Sequence, residues 1–114
     1  MQRFLIILIF FCSTTFAQTV RFTLVSLPAN HPAGSSIFIA GSFNQWNPAD
    51  PQFKFQSDSA GQFYLQVNLP AGNHAYKITR GSWEKVECTA NGAAIDNRQL
   101  NPATSTEVKL SVAG

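Results

Sequence analysis

The sequence predicts an all-β protein that forms an antiparallel sandwich of seven to eight strands. Short segments such as residues 62–69 and 106–112 alternate between apolar and polar residues, which is the pattern of half-buried strands. Clusters of Gly, Pro, Asn and Ser separate these segments, and the apolar residues show no helical period. At 114 residues the chain suits one domain. These features together favour an immunoglobulin-like fold of the E-set type.

The first 17 residues have the features of a secretory signal peptide. Arg3 precedes an apolar run over residues 4–12, and the segment ends in Thr15-Phe16-Ala17, with small residues at two positions. The run is shorter than the roughly 20 residues that cross a bilayer as a helix. We therefore expect a signal peptide over residues 1–17 and one domain over residues 18–114. The expected location is secreted or periplasmic, without stable membrane insertion, and a retained anchor is the alternative.

The strands are predicted in order from alternation and from the turns between them. The predicted segments are residues 19–26, 37–40, 53–56, 62–69, 74–80, 83–88 and 106–112. The inward residues of the first, fourth and last segments are Val20, Phe22, Leu24, Phe63, Leu65, Val67, Leu69, Val108, Leu110 and Val112. Residues 37–40 are apolar on both faces, as in a central strand that is covered on both sides. Residues 89–97 contain Asn-Gly and predict a loop.

Two tryptophans lie in polar loops that follow predicted strands. Trp46 follows strand 37–40 within Gly41-Ser42-Phe43-Asn44-Gln45-Trp46-Asn47-Pro48, and Trp83 follows a Gly-Ser turn. Such rings have few neighbours in sequence that could bury them. Sugars bind surfaces of this kind, because their C–H faces lie on aromatic rings while their hydroxyls form hydrogen bonds. Lys77 lies opposite the inward residues of its strand, so it could supply one of those hydrogen bonds.

The same segments resemble a known family. The matching residues are Gly41-Ser42-Phe43-Asn44-x-Trp46, Leu69-Pro70-Ala71-Gly72, Tyr76-Lys77, Gly81-x-Trp83 and Asn97-Arg98. In order and approximate spacing they are similar to the starch- and glycogen-binding modules of carbohydrate-binding families 20 and 48, including the glycogen-binding domain of AMP-activated protein kinase. The resemblance covers about residues 19–112. Many family 20 modules have a Trp where this chain has Cys88, so the glycogen-binding type fits better.

The resemblance implies a non-catalytic module that binds α-1,4-glucan polysaccharides or oligosaccharides and needs no cofactor or metal. In the family, the tryptophans that match Trp46 and Trp83 stack on glucose rings. The residues that match Lys77 and Asn97 hydrogen-bond to sugar hydroxyls. The supporting positions that we expect around this site are Asn44, Asn47, Arg80 and Glu84. Arg80 and Glu84 could also pair as ions on its rim.

Each of these residues also has a structural interpretation. Trp46 and Trp83 could close one end of the sandwich as core residues. Lys77 could be a solvated strand residue, and Asn97 could be a turn residue. An interaction module, whose tryptophans dock a partner or a catalytic domain, would explain the same exposed aromatics. A relative or fragment of a secreted glycoside hydrolase or esterase is a further alternative.

Motifs for catalysis and for nucleic-acid binding are missing from the sequence. G-x-S-x-G does not occur, and we interpret His31 and His74 as solvated residues rather than bases. Glu84 and Glu87 would lie on opposite faces of a strand, which separates them as a carboxylate pair. The formal net charge is +2 without a basic run, so nucleic acid is not an expected partner. Cys88 is expected to be a small core residue without a disulfide partner.

Overall fold

The computed structural model describes residues 17–114, and the predicted signal peptide lies outside the described residues except for Ala17. This part of the chain forms seven strands. They are β1 (Gln18–Ser26), β2 (Phe38–Gly41), β3 (Gln56–Ser57), β4 (Phe63–Leu69), β5 (His74–Thr79), β6 (Arg98–Leu100) and β7 (Glu107–Ser111). Two one-turn 3-10 helices, Pro51–Phe53 and Trp83–Lys85, lie between strands. No helix within residues 17–114 has the length and apolar character needed to cross a membrane.

The strands form two sheets that pack face to face, which confirms the predicted all-β sandwich. One sheet has the order β3-β4-β1-β7, and the other has the order β2-β5-β6. The pairs are antiparallel as predicted, with one exception, since β1 and β7 run parallel and their register shifts between Leu24 and Ser26. β7 therefore enters the sheet at the same end as β1.

The core lies between the two sheets and is built from the inward faces that the alternation predicts. The buried apolar side chains are Val20, Phe22, Leu24, Ile37, Ile39, Phe53, Phe55, Leu65, Leu69, Tyr76, Ile78, Leu100, Leu110 and Val112. Phe63, Val67 and Val108 are partly buried and pack against them. The Phe22 and Tyr76 rings meet edge to face across the sheets, with centroids 5.5 Å apart, a favourable aromatic geometry.

The predicted strand at residues 53–56 is wrong at Phe53, which ends a 3-10 turn, whereas Lys54 and Gln56 do pair with other strands. Asp50 caps a 3-10 turn by accepting a hydrogen bond from the Gln52 N–H at 3.0 Å, and Pro51 occupies the first position of that turn. Proline suits this position because it lacks the N–H that would have no partner there. The turn ends at Phe53, Lys54 then forms an isolated antiparallel bridge with Phe38, and the paired strand β3 begins at Gln56. Short apolar segments do not distinguish a strand from a buried turn.

The predicted strand at residues 83–88 is also wrong. Its first residues form the second 3-10 helix, and only isolated bridges follow, from Thr79 to Val86 and from Cys88 to Ala94. Cys88 is half-buried rather than a core residue. The loop predicted at residues 89–97 leads directly into β6, which was not predicted, because its three residues are too few to show a period.

β5 changes its partner along its length, and the Glu87 side chain bonds to the strand between the two partners. Tyr76 pairs with Arg98 of β6, whereas Thr79 bridges to Val86. Between these two points the Glu87 carboxylate accepts the Ile78 N–H at 2.7 Å. Arg98 donates to the same carboxylate from Nη2 at 2.8 Å and from Nε at 3.0 Å.

The Glu87 side chain is only 2% exposed, so this ion pair is a structural one. The buried charge needs its partner, because an unpaired carboxylate in the interior carries a large desolvation cost. Arg98 also donates to the Ser111 carbonyl at 2.8 Å, which ties β6 to β7 of the opposite sheet. Glu87 and Glu84 therefore have different environments, since Glu87 is buried in an ion pair and Glu84 is exposed.

Candidate functional site

The Trp46 loop, defined as residues 41–48, is fixed at its start by the side chain of Asn44. The Asn44 Oδ1 accepts the Gly41 N–H at 2.8 Å, and its Nδ2 donates to the Ile39 carbonyl at 2.9 Å. The Gly41 carbonyl accepts the Trp46 N–H at 2.9 Å. Because Asn44 is buried, water does not compete for its bonds, and the loop is held against the end of β2.

Phe43 anchors the same loop to the core. Its ring stacks on Phe53, with centroids 5.1 Å apart, and meets the His74 ring edge to face at 5.5 Å. A Cβ on Gly41 would lie 2.7 Å from the Phe43 ring and 2.8 Å from the Ala75 carbonyl. Glycine is therefore required at position 41, because no side chain fits between the loop and β5.

The backbone is left-handed at Gln45 and at Trp46, which both have φ of 56°. Residues other than glycine adopt this conformation at a cost of about 1 kcal/mol or more each. The bonds made by Asn44 and the packing of Phe43 hold the loop in this shape. Strained backbone of this kind is concentrated at functional sites, where it presents a side chain in a defined direction. The indole of Trp46 is half-buried.

The Trp83 turn, defined as residues 80–85, is held by backbone hydrogen bonds. The Lys85 N–H donates to the Ser82 carbonyl at 3.1 Å, and the Arg80 N–H donates to the Lys85 carbonyl at 3.0 Å. Gly81 has φ of +99°, which lets the chain reverse direction after β5. Ser82 precedes the 3-10 helix without making a side-chain cap. Trp83 stands at the start of that helix and is 45% exposed.

The fold brings the two tryptophans together. Their ring centroids are 6.3 Å apart, and the ring planes meet at 40°. The two rings are therefore neighbours set at an angle, and the Trp83 ring is open to solvent. We call this pair the Trp surface. Neither ring belongs to the cluster of buried core residues, so the core interpretation is not supported for Trp83, and Trp46 has only partial burial.

Lys77 lies on the outer face of the three-stranded sheet. It pairs in register with Ala40 of β2, and it alternates with the buried Tyr76 and Ile78. Tyr76 pairs with Arg98 in antiparallel register. Lys77 follows Tyr76 and Asn97 precedes Arg98, so Asn97 lies at the position opposite Lys77. Within residues 17–114 neither the Lys77 nor the Asn97 side chain makes a hydrogen bond or an ion pair, so both keep donors available for a ligand.

The four supporting positions have different environments. The Asn44 side chain is buried, and both of its polar atoms bond to the backbone, so it has a structural role in the loop. Asn47 is exposed and accepts the Ala49 N–H at 3.0 Å, which leaves its amide nitrogen available. Glu84 is exposed. The ion pair between Arg80 and Glu84 does not form in the described part of the chain.

Arg80 faces a different neighbour, His31. Partial burial, and after it the Arg80 charge, lower the pKa of His31 from its ordinary value of 6.5. Arg80, His31 and Lys85 line one small cavity beside the end of β5. The Arg80 guanidinium therefore lies on the side of the Trp83 turn that faces His31.

Two ionisable core residues also have shifted pKa values. The hydrogen bond to Glu87 raises the pKa of Arg98, so Arg98 stays charged. Burial raises the pKa of the Tyr76 phenol from 10.0 to about 12. Tyr76 and Arg98 therefore each keep one charge state across the physiological range.

His74 makes a pair with Ser42 that the sequence did not reveal. Its Nδ1 lies 3.0 Å from the Ser42 Oγ, and its Nε2 lies 2.8 Å from the Pro70 carbonyl. Because the Pro70 carbonyl can only accept, the neutral ring that fits these contacts carries its proton on Nε2, and Nδ1 then accepts from the Ser42 hydroxyl. Ser42 Oγ in turn accepts the Ala75 N–H at 3.3 Å. His74 is thus half-buried and bonded at both nitrogens, not solvated as predicted, and the pair links the Trp46 loop to β5.

Metal-binding clusters are not found in the described residues, where no group of three or more His, Cys, Asp or Glu side chains converges. The candidate residues are thus two neighbouring aromatic rings, one ammonium group and amides. This composition suits a neutral ligand with hydroxyl groups and an apolar face.

Comparison with known proteins identifies relatives of this chain. No protein-family model matches it. It is 47% identical over 98 residues to an alpha-amylase from Niallia circulans, a match that covers 84% of this chain. It is also 39% identical over 51 residues to the 5'-AMP-activated protein kinase subunit beta-2 of Homo sapiens and of Mus musculus, which covers 44% of this chain.

The chain resembles a starch- or glycogen-binding module. The two independent matches confirm the resemblance that the sequence motifs predict, and they support a carbohydrate-binding module. The matched region is a small part of each relative. It spans 8% of the alpha-amylase and 17% of the kinase subunit.

Proposed function

We propose that this chain is a non-catalytic module that binds α-1,4-glucans on the Trp surface. The observation that carries the proposal is the meeting of Trp46 and Trp83, which lie far apart in sequence and whose ring centroids are 6.3 Å apart. One ring is half-buried in a strained loop and the other is exposed. A pair of indoles held in this way provides a preformed face for the C–H surfaces of sugar rings.

The angle between the rings favours a curved glucan. Planes that meet at 40° cannot both lie flat on a straight ribbon. A chain whose successive sugar units turn relative to one another can place one unit on each ring. α-1,4-Linked glucose turns in this way, whereas β-1,4-linked glucose is extended and flat. We therefore assign starch, glycogen or maltooligosaccharides to this site, and not cellulose.

Polar groups beside the rings supply the hydrogen bonds in this proposal. Lys77 and Asn97 have no partners within residues 17–114, and both lie on or beside the outer face of the sheet from which the two loops project. Asn47 adds an available amide next to Trp46. Hydrogen bonds from such exposed groups replace bonds to water, so each contributes about 1 kcal/mol or less.

Titration calorimetry of the purified protein with maltoheptaose tests the proposal. We expect a Kd of roughly 10 μM to 1 mM, because the contact is shallow and few groups are immobilised. Trp46→Ala and Trp83→Ala should each weaken binding by at least about tenfold. Tyr64→Ala is the matched control. Tyr64 lies on the outer face of the other sheet beneath the Arg21 guanidinium, and its loss should leave the Kd unchanged.

The outcomes distinguish a Trp pair that binds glucan from a Trp pair that docks a partner protein. A wild-type protein that is folded and yet gives no heat with maltoheptaose, starch or glycogen would contradict the proposal. Equal binding of cellohexaose and maltoheptaose would contradict the assignment to α-glucans. Loss of binding in both Trp variants with unchanged binding in Tyr64→Ala supports the Trp surface as the site.

A second candidate function is that of an accessory module that places a secreted glycoside hydrolase or esterase on its substrate. It is favoured by the alpha-amylase match, in which the similar region covers 8% of that protein. In this case the glucan site and the attachment to an enzyme coexist. Activity of the corresponding enzyme on granular starch, measured with and without this module, would test it.

We further propose that the protein is exported, with cleavage after Ala17. Support comes from the basic start, the apolar run and the small residues of the first 17 positions. Mass spectrometry of the protein recovered outside the cytoplasm should give an N-terminus at Gln18. Recovery of the intact chain in the membrane fraction would contradict export by cleavage.

A further inference from the structure

Thr79, the last residue of β5, is almost completely buried although it lies on the outer face of its sheet. Its side chain shares that face with Lys77, and its relative exposure is 1%. The residues that cover it belong to the Trp46 loop, because the Thr79 Oγ1 donates to the Pro48 carbonyl at 2.6 Å. A buried hydroxyl needs hydrogen-bond partners, so the contact is part of how the loop is held.

The same hydroxyl has a second partner in the Trp83 turn. The Gly81 N–H donates to Thr79 Oγ1 at 3.2 Å. Pro48 follows Trp46 by two positions, and Gly81 precedes Trp83 by two positions. One oxygen atom therefore bonds to both chain segments that carry the rings. Within residues 17–114 no other side chain makes hydrogen bonds to both the Trp46 loop and the Trp83 turn.

We propose that Thr79 is a positioning residue that sets the distance and angle between the two indoles. The Trp46 loop is fixed at its start by Asn44, but its far end at Pro48 is held by Thr79. The Trp83 turn has no side-chain cap of its own. Without the hydroxyl, the end of one loop and the start of the other lose their common anchor, and the angle between the rings becomes variable.

The hydroxyl specifically is needed, not the shape of the side chain. Valine has almost the volume of threonine but cannot bond to the Pro48 carbonyl or to the Gly81 N–H, so both groups would lose this partner in a partly buried place. Serine keeps the hydroxyl and loses a methyl group. The role of Thr79 toward glucan rests on the proposed function, whereas its effect on the rings themselves does not.

Circular dichroism without any sugar measures the ring arrangement directly, because two neighbouring indoles couple and give an exciton couplet. Thr79→Val should remove most of the couplet that the wild type shows, and Thr79→Ser should keep it. Thr23→Val is the matched control. Thr23 is a half-buried threonine of β1 on the other sheet, and its change should leave the couplet intact. The Kd for maltoheptaose should rise about fivefold in Thr79→Val and stay within about twofold in Thr79→Ser.

The two proposals can fail separately. A folded Thr79→Val variant with the wild-type couplet and the wild-type Kd would overturn the positioning role. A wild type that binds no glucan, combined with loss of the couplet in Thr79→Val, would overturn the glucan site and support the positioning role. If Thr79→Val does not fold, hydrogen exchange of the wild type tests the proposal. The Gly81 amide should be protected, because it donates to Thr79 Oγ1. Exchange as fast as that of an unprotected amide would overturn the positioning role.

Discussion

The two tryptophan-bearing segments are held in opposite ways. The Trp46 loop contains two left-handed residues, a buried asparagine and an aromatic anchor in the core. The Trp83 turn is a single 3-10 turn with backbone hydrogen bonds and an exposed ring. The backbone of the first segment is strained and is held in place by side chains. The second segment has little strain and depends on β5, which precedes it, and on residues 86–88, which follow it.

This difference shows where each ring obtains its position. The indole of Trp46 is placed by its own loop, through Asn44 and Phe43. The indole of Trp83 is placed by β5 and by the segment at residues 86–88, which Glu87 and Arg98 tie to the sheet. Changes in the two support systems should therefore have separate effects on stability, and four substitutions or conditions test this.

The largest effect is expected from Arg98→Met, which removes the support on the Trp83 side. It leaves the Glu87 carboxylate buried without its partner, so the free energy of unfolding should fall by about 3–5 kcal/mol. Chemical denaturation measures the loss. Adding Glu87→Gln to this variant should recover part of the stability, because the uncharged amide can still accept the Ile78 N–H. A loss below about 1 kcal/mol would mean that the ion pair does not hold this side.

Asn44→Ala removes the corresponding support on the Trp46 side. The Gly41 N–H and the Ile39 carbonyl then lose their partner, and the free energy of unfolding should fall by about 2–3 kcal/mol. The matched change in the Trp83 turn is Ser82→Ala, which should cost less than about 0.5 kcal/mol because Ser82 makes no side-chain cap. Equal losses in the two variants would show that the two segments are held alike.

High pH should weaken the core beneath the Trp46 loop through Tyr76. The pKa of this phenol is raised from 10.0 to about 12 in the folded protein. Between these values the unfolded chain releases the proton and the folded chain keeps it, so the free energy of unfolding falls as the pH rises. The loss approaches roughly 2–3 kcal/mol. Tyr76→Phe should lack this pH-dependent loss of stability. If the free energies of unfolding of the wild type and of Tyr76→Phe fall in parallel over this pH range, the raised pKa of Tyr76 is contradicted.

The smallest effect is expected from relieving the strain in the Trp46 loop. Gln45→Gly places a glycine where φ is 56°, and the free energy of unfolding should rise by about 0.5–1 kcal/mol. The comparison change, Glu84→Gly in the Trp83 turn, should lower it by a similar amount, because that backbone is not left-handed. Thermal unfolding of both variants measures the difference, and destabilisation by Gln45→Gly would mean that the loop is not strained.

The sequence alone determined the fold class and the resemblance, for a physical reason. Alternation in β1, β4 and β7 fixes which side chains face the core, since a strand has a period of two. The inward residues of those strands are buried or pack against the core as predicted. The motifs around Trp46 and Trp83 identified the resemblance that the alpha-amylase and kinase-subunit matches confirm. The roles of Trp46, Lys77, Trp83 and Asn97 in binding remain predictions.

Tertiary structure alone decided the distance between the two rings and the groups that hold it. Residues 83–88 contain alternating residues like those of a strand, but Glu87 replaces a ladder bond and the segment turns instead. Thr79 follows the outward period and is nevertheless buried, because a loop from elsewhere in the chain covers it. A local pattern records which face of a strand a residue occupies, and it carries no information about which distant segment will lie on that face.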